Sequence, residues 1–249
     1  MNQTIETILN HRSIRHFKKI PLTDEEIRTI VKSAQAASTS SYVQAYTIIG
    51  VKDPVKKKKL AELAGNQSYV EENGHFFVFC ADLFRHENIG KWEDADVIPS
   101  LESTEKFMVA LIDASLAAQN AAIAAESMEM GICYIGGIRN DLEAVCEVLE
   151  LPRRVVPLFG LAVGYPDHES SVKPRLPFNA VYHEDAYMAD KAAMKAELEH
   201  YDETISSYYH ERTGGKRTDR WTEQMAKMLS GKKRMYMKEF VEKRGYDKR

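Results

Sequence analysis

The sequence predicts an α+β fold: a mixed central sheet flanked by helices, one long central helix, and an extended helical tail at the carboxyl end. Strand-like runs at Tyr46–Val51, His75–Ala81 and Pro157–Gly164 alternate irregularly with helical patterns, without the regular βαβ repeat of a doubly wound sheet. Thr104–Met130 is the longest helical pattern, with eight alanines between Ala110 and Ala125. Beyond Pro177 the chain turns polar with scattered aromatics, which is too little apolar surface for a second independent core. Residues 1–249 are therefore expected to form a single domain, with 180–249 as a wrapping helical extension.

Thr4–Leu9 reads as a short helix. At Pro21–Glu26, Thr23 stands at the cap and Glu26 at capping-box spacing, opening a helix to about Ala37 that the run Ser38–Ser41 ends. Tyr46–Val51 is a β-branched strand. Asp53-Pro54 opens a lysine-rich helix to about Ala64, with Lys56–Lys59 as its solvated face. His75–Ala81 is nearly all apolar, as in a strand buried on both faces. Leu83–Ser103 is polar and weakly periodic and is expected to be a mobile excursion.

The Thr104–Met130 helix, stopped by Gly131, would be ~40 Å long. Apolar residues all round it imply central burial, and its small residues suit close approach at a subunit interface. Ile132–Ile135 is a short strand ending at Gly136-Gly137. Asn140–Leu149 is a helix capped by Asn140 or Asp141. Tyr187–Tyr209 and Trp221–Arg244 are polar helices.

Composition narrows function. A net charge of −3 argues against general nucleic-acid binding. Asp113, Gln119, Asn120 and Glu126 keep the alanine-rich helix from being a membrane span. Cys80, Cys133 and Cys146 have no CxxC spacing and apolar neighbours, which reads as reduced core thiols. The first residues lack a basic region followed by an apolar core. A soluble cytoplasmic protein is the expectation. No HExxH, Walker or GxGxxG pattern and no metal-ligand spacing is present.

The cluster His11-Arg12-Ser13-Ile14-Arg15 sets an imidazole, two guanidiniums and a hydroxyl beside backbone amides, which is a ready anion site. Lys173-Pro174-Arg175 is a second basic element held extended by its proline. Brought together, the two would clamp one phosphorylated ligand. Taken singly, each is as readily a solvated surface.

These residues do not stand alone. HRSIR at 11–15, AASTSSYVQ at 36–44, GNQ at 65–67 and AAQNAAIAAES at 117–127 are followed by YIGGIRN at 134–140, PLFGLAVGYP at 157–166 and KPRLP at 173–177. In this order the chain resembles the FMN-dependent nitroreductase superfamily, in its NADPH-preferring branch of oxygen-insensitive nitroreductases and flavin reductases. The resemblance implies bound FMN, with NADPH, or less favourably NADH, as electron donor. It assigns His11, Ser13, Lys173 and Arg175 to the phosphate, with Arg12 in the same region, and Arg15 to the pyrimidine edge, where a cation stabilises charge on the reduced ring. Ser38, Thr39, Ser40 and Gln67 fall to the ribityl chain and ring edge, and Tyr134, Ile135, Gly136 and Gly137 to the ring, with the Gly136 amide toward N5 and O4. Relatives often carry serine where Thr39 stands. Arg212 and Arg217, in a glycine-flexed loop, match residues that contact the NADPH 2′-phosphate.

The same resemblance implies a homodimer in which both subunits serve each site. It also implies ping-pong, two-electron hydride transfer through bound FMN to nitroaromatics, quinones or flavins, with no acid–base side chain required. The alternatives are a flavin reductase whose acceptor is free FMN or a disulfide, and a non-catalytic flavin-binding protein.

Overall fold

Four strands make one sheet in the order β1-β2-β4-β3, where β1 is Tyr46–Val51, β2 His75–Asp82, β3 Gly131–Ile135 and β4 Val155–Gly164. All residues except Glu169 are described in this computed structural model. Helices α1 (Gln3–Leu9), α2 (Asp24–Gln35), α3 (Pro54–Leu63), α4 (Phe84–Trp92), α5 (Ile98–Leu101), α6 (Thr104–Ser127) and α7 (Leu142–Val148) belong with the sheet. Three more, α8 (Lys191–Arg212), α9 (Trp221–Leu229) and α10 (Met237–Lys243), follow it.

The α+β class holds, with one correction inside it. The sheet expected to be mixed is antiparallel in every strand pairing, and its parallel element is a single bridge from Ser13 to Ile132. Strand direction depends on where each connection returns, which hydrophobic pattern does not encode.

Every residue of β2 is buried, because the strand is interior to the sheet and both faces are covered. Side chains alternate by period two. Phe77 and Phe79 face α2 and the alanines of α6, whereas Phe76, Val78 and Cys80 join Leu60, Ala61 and Val145 on the side of α3 and α7. Phe76 lies over Gly160 of β4, where a Cβ would stand 2.2 Å from the ring. Only glycine fits there, so that pairing is fixed by the absence of a side chain.

The predicted capping box is present: Glu26 N donates to the Thr23 hydroxyl, and the Glu26 carboxylate accepts from Thr23 N at 2.6 Å. α6 is long and apolar enough to cross a membrane by length and composition alone. Its packing accounts for that character, since its alanines bury against the sheet and α2. Within this chain burial is one-sided, and Met108, Ile112 and Leu116 stay exposed along one stripe. The helix also ends at Ser127, and Gly131 opens β3 instead of stopping it.

Three other expectations are corrected. Leu83–Ser103 is no irregular excursion but carries α4 and α5. Glu87 of α4 pairs with the buried Arg154 at 2.6 Å, and Glu102 after α5 meets Arg154 at 3.6 Å, so long-range charge pairing holds what local periodicity does not announce. Lys57 is buried, with its ammonium donating to the Asn73 carbonyl at 2.9 Å, and so is not on a solvated face. The helix read over Trp221–Arg244 is two, α9 and α10, separated at Ser230–Tyr236.

The chain divides into two compact units: Met1–Ser170 with Arg234–Arg249, and Ser171–Lys233. In the first unit the returning terminus is built into the core. Tyr246 is fully buried, its hydroxyl donating to the Arg154 carbonyl at 2.6 Å and accepting from Leu83 N at 3.0 Å. The second unit holds a small core of Tyr201, Ile205 and Tyr209 with Trp221 packed against it. There Asp202 accepts from Thr222 N at 2.9 Å and from the Thr222 hydroxyl, joining α8 to α9.

Candidate functional site

After α1 the chain extends along the sheet edge. Ile14 N donates to the Ile132 carbonyl at 2.9 Å, and Ile14 and Phe17 point into the core. Gly131 permits this approach, because a Cβ there would lie 2.5 Å from the Ile14 side chain. With Ile14 buried, the alternation of an extended chain turns Ser13 and Arg15 outward. His11 is held at the start of this segment by Glu126 of α6, Nδ1 to Oε1 2.7 Å. Arg12 donates to the Asn10 carbonyl at 3.0 Å.

Arg15 stands beside Tyr69 and Cys133. Burial pushes both the Tyr69 hydroxyl and the Cys133 thiol above their usual pKa values, and the guanidinium opposes each shift. The Tyr69 hydroxyl donates to Gln67 Oε1 at 2.7 Å, while Gln67 Nε2 donates to the Ala64 carbonyl at 2.9 Å, so the Gln67 amide is fixed from both ends. Gly137 lies against the same carbonyl, where a Cβ would come within 2.3 Å of it. The fold thus gathers Ser13, Arg15, Gln67 and the turn Gly136-Gly137, which are far apart in sequence. Tyr134 is exposed on β3 and Ile135 is buried behind it.

Ser38, Thr39 and Ser40 lie elsewhere on the first unit. Asp113, wholly buried in α6, accepts from Ser40 N at 2.9 Å and from Ala45 N at 3.0 Å. Between these anchors Ser41, Tyr42 and Gln44 take left-handed backbone conformations, with φ of 47°, 59° and 54°. Non-glycine residues hold such angles only where the surroundings impose them, and the carboxylate does so here. Asp113 and Glu126 sit about 20 Å apart along α6 by helical rise, so the Ser38–Ser40 loop and His11 are not neighbours within one chain.

The sequence singles out Asp113 only as a charge against membrane insertion, although a carboxylate amid the alanines of this helix was the available signal for its role. Sequence reasoning missed a guanidinium pair beyond Gly137. Arg139 donates to the Leu158 carbonyl at 2.6 Å, and Arg234 donates to Asn140 Oδ1 at 2.8 Å and 3.1 Å. Burial and the nearby Arg234 charge lower the Arg139 pKa.

In the second unit the predicted cations gather on two adjacent tyrosines of α8. Lys173 Nζ donates to the Tyr209 hydroxyl at 3.0 Å and holds that phenol below its usual pKa. The Arg217 guanidinium lies 4.3 Å from the Tyr209 ring centroid and pairs with Asp219 at 2.6 Å. Arg212 donates to the Tyr208 hydroxyl at 3.1 Å, and Arg175 to the Lys173 carbonyl at 3.1 Å.

Arg12 and Arg15 in the first unit form no ion pair with a carboxylate among the described residues, and neither do Lys173 and Arg175 in the second, so each unit separately keeps two cations open to an anion. Unpaired cations are the kind of residue that the phosphate of a cofactor such as FMN requires, and the residues present in each unit fit it.

An antiparallel sheet between helical layers, with unpaired cations at its edge and a glycine turn after β3, makes this an α+β protein. The model of the nitroreductase family matches residues 8–165, and that of the nitroreductase family C-terminal domain matches 173–249. The chain belongs to the nitroreductase family. It is 60% identical over its whole length, and that of the relative, to an FMN reductase (NADPH) of Bacillus subtilis. Its fold is similar to that of NfrA1 from B. megaterium, with 64% identity, a TM-score of 0.98, and coverage of 99% of this chain and 100% of that one. A Vibrio harveyi NADPH:FMN oxidoreductase solved with NAD+ is 40% identical with a TM-score of 0.90, both chains being covered in full.

Proposed function

We propose that this chain is an NADPH-dependent flavin oxidoreductase that carries one FMN per subunit and reduces nitroaromatics, quinones or flavins. The observation that carries this reading is the contiguity of Ser13, Arg15, Gln67 and Gly137 at the sheet edge, in a chain so similar to an FMN reductase. When bound, FMN supplies two-electron exchange at its N5, so no side chain needs to act as acid or base.

What the chain supplies is binding and charge. His11, Arg12 and Ser13, with Lys173 and Arg175, hold the phosphate, each charge-assisted contact being worth ~1.5–3 kcal/mol. Arg15 lies at the pyrimidine edge and favours negative charge there. Gln67, with its amide fixed by Tyr69 and Ala64, offers a preset ring-edge partner, and Tyr134, Ile135, Gly136 and Gly137 border the ring. Arg212 and Arg217 receive the NADPH 2′-phosphate.

The chain acts as a homodimer in the cytoplasm. The exposed Met108, Ile112 and Leu116 stripe of α6 supports an apolar seat for a second subunit, and the separation of the Ser38–Ser40 loop from His11 supports a role for that loop in the partner's site.

The absorbance spectrum of the purified protein, before and after anaerobic NADPH, tests this reading. A yellow chromophore that bleaches is expected; a colourless protein that FMN cannot reconstitute would exclude it. Arg15→Ala is expected to lower the flavin potential and slow its reduction, and an unchanged potential refutes the role given to Arg15. Steady-state turnover with added FMN against a nitro compound or a quinone ranks the acceptors.

A further inference from the structure

Away from the cation cluster, the first unit holds a cleft of about 580 Å³ between the α3 amino end and the approach to β2. The most buried of the polar residues that line it are Lys57, Asn73 and His75, which are 9%, 8% and 3% exposed. Its rim carries Ile20, Pro21 and Pro54, with Lys19 and Lys52 opposed by Glu71 and Glu72.

Each of the three has unfinished polar business. The Lys57 ammonium donates to one carbonyl, that of Asn73, and pairs with no carboxylate among the described residues. Burial lowers the Lys57 pKa, and the charge of Glu71, too far away for an ion pair, offsets this only in part, so the cation is costly where it stands. Asn73 spends its amide hydrogens on the carbonyls of Tyr69 and Val70, both at 2.8 Å, which leaves Asn73 Oδ1 buried with no partner. His75 Nε2 is buried and unpartnered too, its ring lying so close over Gly50 that a Cβ there would meet Nε2 at 2.7 Å. Buried side-chain polar atoms are normally satisfied, so two orphans beside an unpaired ammonium mark a place shaped for something polar.

We propose that the Lys57–Asn73–His75 cleft is a second ligand site, which takes a small oxyanion that also carries a hydroxyl group. The anionic oxygen answers the ammonium. Asn73 Oδ1 can only accept, so a ligand that reaches it must donate, which a plain carboxylate does not do. His75 Nε2 accepts or donates according to tautomer. Hydrogen phosphate and a 2-hydroxycarboxylate both meet these demands. Nothing in the site depends on FMN, and none of its residues belongs to the cation cluster.

The test uses the yellow holoprotein labelled with 15N-histidine, in a buffer free of oxyanions, with the His75 resonance assigned through His75→Gln. Inorganic phosphate, glycolate and acetate are titrated in turn. A saturable shift of the His75 ring nitrogens with phosphate or glycolate is expected, acetate binding at least tenfold more weakly, and Lys57→Met should weaken the response at least tenfold. The tighter of the two hydroxylated anions identifies the source of the ligand. No saturable shift with either, or an undiminished response in a folded Lys57→Met protein, overturns the proposal. Should Lys57→Met not fold, acetate binding as tightly as glycolate in the unaltered protein overturns it equally.

Discussion

The two units of this chain are built on opposite terms. In the first, a four-stranded sheet with both faces covered buries a dense set of aromatic and aliphatic side chains, and the last residues return to seal it. In the second, two helices share a core of three residues, while Phe178 and Tyr187 are 71% and 79% exposed beside a cleft of about 640 Å³ lined by apolar side chains such as Leu176, Met188 and Met194. Stability in the first is a matter of packing. Stability in the second is local, resting on caps, tyrosine hydroxyls and cation–aromatic contacts, and so much exposed apolar surface calls for a covering partner.

Substitutions can break or sharpen that contrast. The largest effect is expected from Phe76→Ala, which empties the space over Gly160 and should cost about 3–5 kcal/mol in urea unfolding. Acid comes next. Burial, with the charges of Lys52 and Lys57 outweighing that of Asp24, lowers the His75 pKa to about 4. The folded imidazole refuses a proton that the unfolded chain accepts below about 6.5, so stability should decline by about 3 kcal/mol as pH falls from 6.5 to 4. Unfolding midpoints across that range, with His75→Gln flattening the slope, check this. Ligand in the cleft would change the slope, so the series belongs in oxyanion-free buffer.

Effects in the second unit should be smaller and local. Asp202→Ala removes the acceptor of Thr222 and is expected to cost about 1–2 kcal/mol. Hydrogen exchange should locate the loss in α9, with β2 amides unaffected; equal deprotection of β2 would mean the two units unfold as one. Smallest of all, replacing Arg212 and Arg217 together by Ala should move stability by no more than about 0.5 kcal/mol. The same pair should raise the KM for NADPH far more than that for NADH, and equal effects on both donors count against the assignment.

The contrast also explains what could be read in advance. β1 was bounded correctly as Tyr46–Val51, and the Thr23–Glu26 box opened α2 where expected, because β-branched content and capping are local properties of the chain. α4 and α5 were hidden, because Glu87 and Glu102 draw their support from Arg154, far along the sequence. The break between α9 and α10 was signalled only by Gly231, which amphipathic polarity on either side obscured. Within the candidate site, Ser13 and Arg15 were legible as a hydroxyl and a cation of the basic cluster at 11–15. Gln67 gained meaning only when Tyr69 and Ala64 were seen to fix its amide. Asp113 was visible as an acid in an apolar helix, but its service to the Ser40 and Ala45 amides depends on a loop that no periodicity describes.

Because Arg234–Arg249 rejoins the first unit, Ser171–Lys233 has the architecture of an insertion, entered from one body and left into the same one. Such a segment can change length, sequence and even helix count with little penalty to the sheet, whereas clipping a few residues from the carboxyl end would extract Tyr246 from the interior and unseat both Leu83 and Arg154. Diversification among proteins built on this plan is therefore expected to concentrate in the inserted stretch, and truncation tolerance to be lowest at what looks, on paper, like a disposable tail.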